Sequence, residues 1–219
     1  MVIIPGTDMY LGLSGVERNR DPLPENVVFL NQIHSSRIVV SPAGGEDADG
    51  MVMSRGSGYP ALRVADCLPV FALWDDYIGA AHAGWRGLSK GIMENLLQAV
   101  DQPLRWLILG PCICSRCYAV GDLVSRAVAS GDPTGLLEHP EGRIDLRGSA
   151  VRRARKVSGE KFQLINIDEC TLESAGLYSY RGNETAERNF LWLAEIERGE
   201  HIRQLNSEVE CVSPERRKN

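Results

Sequence analysis

Two apolar runs separated by three polar residues dominate the middle of the chain: LPVFALW (68–74), then Asp75-Asp76-Tyr77, then IGAAH (78–82). Apolar runs this short, bounded by a polar turn, read as the two strands of a β-hairpin. The constraint reaches beyond the strands. Cys67 stands directly before the first strand and His82 ends the second, so the hairpin brings a thiol and an imidazole to one sheet edge.

Other segments join this hairpin. ENVVFL (25–30), RIVVS (37–41), ALRVA (61–65), LRWLIL (104–109) and FQLINID (162–168) are β-branched or apolar runs between polar turns, and FLWLAEI (190–196) fits either a helix or a strand, with the strand preferred. Leu88, Ile92, Leu96 and Val100 recur every four residues, which predicts one amphipathic helix directly after AGWRG. Weaker helical patterns lie at 120–130 and 145–157. Nothing marks a division, so residues 1–200 are expected to form one domain, followed by a polar tail over 201–219.

A chain of 219 residues with 43% hydrophobic and 24% charged residues is long enough to bury a core. Its net charge of -5 offers no basic field for a nucleic-acid backbone. MVIIPGTDMYLGLSG lacks the charged start and long apolar run of a secretory signal, and no window has the length of a membrane span. The six cysteines are therefore expected to be reduced and the protein cytoplasmic.

His34, in NQIHSSRIVV, also begins an apolar strand, with the amides of Asn31 and Gln32 beside it. One thiolate and two imidazoles form a zinc set with a fourth position open, the arrangement of a catalytic site. The spacing of His34, Cys67 and His82 does not by itself separate that reading from ordinary packing. Cys112, Cys114 and Cys117 have C-x-C-x-x-C spacing that Cys170 would complete, but without a second closely spaced pair they read as buried or loop thiols. Asp47 and Asp49 read as making side-chain turn bonds. His139 and His201 stand in polar segments and read as solvated.

Four stretches narrow the choice. NQIH (31–34), DAD (47–49), VADCLP (64–69) and AHAGWRG (81–87), with the later GPCICSRCYAVG and CTLESAGLYSYR, resemble the YfiH/YlmD family, also called the laccase-like or multicopper polyphenol oxidoreductase family. The resemblance covers most of residues 25–196. It implies a single α/β domain, a layered sandwich of mixed β-sheets with outer helices, and a zinc site of His34, Cys67 and His82. It further implies phosphorolysis of adenosine, inosine, guanosine and methylthioadenosine, together with adenosine deaminase activity.

Chemistry assigns further roles under that resemblance. Deamination needs a carboxylate to relay protons, and Asp66 is the nearest in sequence to Cys67; adjacent strand residues point to opposite faces, so Asp66 equally reads as holding a turn. Phosphorolysis needs a held anion. Arg86 precedes the helix beginning near Leu88 and suits phosphate, or else stacks on Trp85. Arg181 and Arg188 are further anion candidates, and Asn31 and Gln32 are placed for substrate contact. The chain departs from the family in having Gly182 and Glu187 where relatives carry arginine and glycine, and in a shorter front before NQIH.

Two other functions use the same residues. Copper shares the Cys-His-His donor set, but a multicopper phenol oxidase needs more imidazoles than the four in the chain. A metal-free cysteine hydrolase would use Cys67 as nucleophile and His82 as base on an amide, such as one in a cell-wall precursor. The expected partners are a purine nucleoside and phosphate, with no nucleic acid and no membrane, in a monomer or homodimer.

Overall fold

The computed structural model describes residues 1–16, 21–131 and 142–196. His139, His201 and the segment 201–219 lie outside the described residues. The elements run β1 (Val2–Ile3), β2 (Met9–Ser14), β3 (Val27–Phe29), β4 (Ile38–Val40), β5 (Gly50–Ser54), β6 (Tyr59–Val64), β7 (Leu68–Leu73), β8 (Tyr77–Ala83), α1 (Trp85–Ser89), α2 (Ile92–Gln98), β9 (Trp106–Leu109), α3 (Asp122–Gly131), α4 (Leu146–Ser158), β10 (Gln163–Asn166), α5 (Tyr180–Asn183) and β11 (Asn189–Glu195).

The expected hairpin is β7–β8, antiparallel from Leu68 opposite Ala83 to Leu73 opposite Ile78. The Trp74 N–H closes the turn on the Tyr77 carbonyl at 3.0 Å. The pair lies at the centre of a six-stranded mixed sheet ordered β10-β9-β7-β8-β5-β4. A second, five-stranded mixed sheet is ordered β1-β2-β11-β6-β3.

Strand alternation shows why β7 is apolar throughout. Val70 and Ala72 face a core shared with Ile92, Met93, Leu96 and Leu97 of α2 and Leu146, Ala150 and Ala154 of α4. Phe71 and Leu73 point the other way, into a core shared with Leu11, Leu62, Val64, Leu191 and Leu193 of the five-stranded sheet. The layers are therefore helices, six-stranded sheet and five-stranded sheet. This is the expected α/β sandwich of mixed sheets. The strand at FLWLAEI is β11, which joins β2 to β6.

One expectation needs correction, and two strands fall outside the predicted runs. The helix predicted to follow AGWRG begins inside that motif at Trp85, so Arg86 lies within its first turn rather than before it, and it is two helices because Gly91 takes a left-handed conformation (φ 85°) between them. β2 carries Gly12 in its interior, and a Cβ there would meet the Trp192 indole at 2.1 Å, so packing demands a residue that weakens the strand pattern. β5, GMVMS, is buried over its first four residues and shows no polar alternation. No described helix is long and apolar enough to cross a membrane.

Candidate metal centre and its pocket

β8 delivers His82 to the end of the central hairpin, where the residue is 4% exposed. Its Nδ1 lies 2.9 Å from Asp49 Oδ1, and its backbone N–H donates to the Asp49 carbonyl at 2.7 Å. Asp49 is 0% exposed and also builds the turn that presents His34. Its carboxylate accepts the backbone N–H groups of Ile33 at 3.2 Å, His34 at 3.0 Å and Ser35 at 2.6 Å, and the Ser35 hydroxyl at 2.8 Å. One buried carboxylate thus orients both histidines. His34 takes φ 58°, a left-handed conformation that the three N–H bonds hold in place.

Cys67 enters from the start of β7, after Asp66 at φ 87°. Gly84, between His82 and Trp85, makes room for it: a Cβ on Gly84 would meet Cys67 Sγ at 2.7 Å. The glycine of AHAGWRG therefore serves the thiol directly. Ligand atoms of His34, Cys67 and His82 lie within 4.8 Å of one another, and the two imidazole rings meet edge to face with centroids 4.8 Å apart.

The charges of these groups are interlocked. Burial pushes the Cys67 thiol up, but the His82 and His34 imidazoles outweigh it and bring its pKa down to about 6. Burial likewise opposes the His82 imidazolium, which Cys67 and Asp49 nevertheless raise to about 9. For Asp49, burial is overcome by hydrogen bonds from His82 and Ser35, leaving it at about 2. A thiolate and a fixed carboxylate are thus available at neutral pH. With His82 Nδ1 committed to Asp49, Nε2 remains for an ion. Tetrahedral zinc with bonds of about 2.0–2.3 Å has donor–donor edges of about 3.5 Å, so a small contraction of this donor set accommodates it.

The cluster opens on a cavity of about 560 Å³ lined by Asn31, Gln32, Arg63, Asp66, Trp85, Arg86, Tyr118, Tyr180, Arg181 and Arg188. Arg86 stacks on Trp85, its guanidinium carbon 4.6 Å from the ring centroid, and also faces the cavity. Arg181 lies over Tyr118 at 5.4 Å and donates to the Ala119 carbonyl at 2.8 Å. Burial pushes the Tyr118 phenol up. Asp66 accepts from Thr171 and Ser179 hydroxyls, each at 2.7 Å, and from the Arg181 N–H at 2.6 Å, so it fastens the start of α5.

Asn31 donates to Asp47 at 2.6 Å, while the Gln32 amide exchanges both its bonds with the Arg63 backbone. The cavity therefore gathers every predicted site residue, with several amides and carboxylates already engaged in holding its walls. Sequence reasoning passed over the reach of Asp49 and the presence of Arg63 and Tyr118. Asp49 had a signal in its place beside apolar MVM, where an isolated carboxylate needs buried partners.

Comparison with known proteins agrees with this architecture. Residues 15–192 match the family model described as multi-copper polyphenol oxidoreductase laccase. The chain is 32% identical over 200 residues to a protein named purine nucleoside phosphorylase YfiH from Escherichia coli (strain K12), covering 81% of each chain. It is 32% identical over 185 residues to purine nucleoside phosphorylase SCO2081 from Streptomyces coelicolor, covering 78% of this chain and 76% of that one. The crystal structure of Neisseria meningitidis protein NMB0706 superposes with a TM-score of 0.67 at 30% identity, covering 78% of this chain and 75% of that one. With its motifs, its layered fold and a family match across most of its length, the chain belongs to the multi-copper polyphenol oxidoreductase laccase family, the group that includes YfiH.

Proposed function

We propose that the chain is a zinc-dependent purine nucleoside phosphorylase, with adenosine deamination as a second activity at the same site. The observation that carries this reading is the convergence of Arg63, Arg86, Arg181 and Arg188 on the cavity that holds His34, Cys67 and His82. A cavity of this size lies in the range of small-molecule sites. The relatives named purine nucleoside phosphorylase supply the substrate class.

In phosphorolysis a phosphate oxygen bonds to the sugar's anomeric carbon as the bond from that carbon to the base nitrogen breaks. The base leaves with the bonding pair and takes up the proton that the hydrogen phosphate gives up. Arg86, Arg181 and Arg188 hold the phosphate and withdraw charge from it, and the Trp85 stack keeps the Arg86 fork in place. Asp66 positions Arg181 through its backbone N–H and so acts as a positioning residue. Tyr118 and Tyr180 flank the space for the base, with the Asn31 and Gln32 side chains along the same wall.

His34, Cys67 and His82 fit a zinc ion, which when bound supplies a Lewis acid toward a substrate oxygen or nitrogen. Copper would use the same three donors, but only these two histidines join the cluster among the described residues, so one ion at one site is the reading. Zinc-loaded protein is incubated with adenosine, with and without phosphate, and the products are separated by chromatography. Adenine and ribose 1-phosphate appearing only with phosphate establish phosphorolysis, and inosine establishes deamination. No turnover of any purine nucleoside overturns the proposal in favour of a thiol hydrolase.

A further inference from the structure

Among the described residues, one further cluster of soft ligands stands apart from the His34, Cys67 and His82 site. Ligand atoms of Cys114, Cys117, Cys170 and Glu173 all lie within 4.8 Å of one another. None of the four lines the cavity shared by His34, Cys67 and His82; Cys114, Cys170 and Glu173 line a separate one of about 480 Å³. We propose that these four residues form a second zinc site, which ties the loop after β9 to the segment after β10.

Each half of the site is a short turn. In the first, CSRC, the Cys117 and Tyr118 N–H groups donate to the Cys114 carbonyl at 3.0 and 2.9 Å, so both thiols face one side. In the second, the Ser174 N–H donates to the Cys170 carbonyl at 3.0 Å, turning the chain so that Glu173 returns toward Cys170. The halves are joined by backbone pairing, in which the Cys112 N–H donates to the Glu169 carbonyl at 3.3 Å and the Thr171 N–H to the Cys112 carbonyl at 3.2 Å, and by the Cys114 N–H pointing at Cys170 Sγ at 3.3 Å. The closely spaced second pair that the cysteines alone lack is thus Cys-x-x-Glu.

The contacts within the cluster are those of a metal site before deprotonation. Cys117 Sγ donates to one Glu173 oxygen at 3.3 Å and Cys114 Sγ approaches the other at 4.0 Å. Zinc would replace these S–H donors, releasing a proton from each thiol it binds. Tetrahedral zinc–sulfur bonds of about 2.3 Å give edges of about 3.8 Å, so only a small contraction is needed. Three thiolates favour zinc over harder divalent ions.

Local charge fits as well. Zinc with three thiolates and one carboxylate carries a net charge of about -2. Arg116 lies 3.3 Å from Glu173, and Arg147 and Arg152 line the adjoining cavity with it. The same loop carries Tyr118, which lies under Arg181, and Ala119, whose carbonyl Arg181 holds. The ion therefore fixes one wall of the substrate cavity without entering it.

The test counts metal in the full chain. A His34→Ala/Cys67→Ser variant, which lacks the first donor set, is loaded with cobalt(II) alone under reducing conditions. One tightly held cobalt per chain, with a near-ultraviolet sulfur-to-cobalt band of three-thiolate intensity, is expected. Adding Cys117→Ser should cut that band to two-thiolate intensity or below, while Glu173→Gln should keep the fold and weaken cobalt retention against a chelator by about tenfold or more. A variant pair that holds no cobalt, cobalt bound without the thiolate band, or a disulfide among these cysteines in the reduced preparation would overturn the site. Nucleoside turnover is not read, so failure of the phosphorylase proposal would leave this result intact.

Discussion

His34, Cys67 and His82 rest on a frame that one buried carboxylate builds, whereas Cys114, Cys117, Cys170 and Glu173 are gathered by two short turns. In the first cluster Asp49 holds a strand end and the 33–35 turn together from a position with no exposure. In the second, Glu173 is half exposed and pairs with the exposed Arg116 at 3.3 Å. A site whose support is buried is preorganised without its ion and is sensitive to its second sphere. One built from surface turns gains most of its order from the ion.

The sharpest way to break this contrast is to remove each carboxylate from metal-free protein. Asp49→Ala should cost about 3–5 kcal/mol in urea unfolding, because it leaves the buried, charged His82 without its partner and frees the part-buried N–H groups of the 33–35 turn. Glu173→Ala should stay within about 0.5 kcal/mol. Equal losses would erase the distinction.

Acid should act on the first cluster through Asp49. The folded Asp49 pKa of about 2 lies below the ordinary 3.8, so its contribution is complete above pH 4 and fades as pH falls through 2. That limb should remove about 2 kcal/mol from metal-free protein and be absent in Asp49→Asn. Between pH 6.5 and 9, His82 and Cys67 oppose each other. The raised His82 pKa loses stability as pH climbs to 9, while the lowered Cys67 pKa gains it over the same range, so urea midpoints should be nearly flat.

Gly84→Ala sharpens the comparison further. The added Cβ collides with Cys67 Sγ, so stability should fall by about 1–3 kcal/mol and zinc affinity at the first cluster should drop. The cobalt band of the second cluster should be unchanged. Arg86→Ala should have the smallest effect on folding, within about 0.5 kcal/mol, since the side chain is exposed. Its KM for phosphate should nonetheless rise by about 10- to 100-fold, the loss of one charged hydrogen-bonded contact, as measured by initial rates at varied phosphate.

What could be read from the chain follows the same divide. The β7–β8 hairpin was legible because its apolar runs end at a polar turn, and it carried Cys67 and His82 with it. AHAGWRG was legible through its resemblance to the family motif, whereas the room that Gly84 leaves for the Cys67 thiol follows only from the fold. β5 was not, since a strand covered on both faces by Met51, Val52 and Met53 has no alternation to show. Gly91 was read through, as one residue in a good four-residue repeat, although its left-handed backbone splits the helix. Glu173 was invisible as a partner of the cysteines, because its role depends on the register that sets Cys170 beside Cys112. Asp66 read two ways in the sequence, and its three hydrogen bonds come from Thr171 after β10 and from Ser179 and Arg181 at the start of α5, which only the fold brings to it.

The most direct test of the central claim compares zinc-loaded wild type with His34→Ala for phosphate-dependent release of ribose 1-phosphate from adenosine. His34 is exposed on its turn, so the variant should unfold at the same urea concentration as wild type when both are metal-free. The account predicts release by wild type only when phosphate is present and no detectable release by the variant. Equal release from both proteins would contradict it.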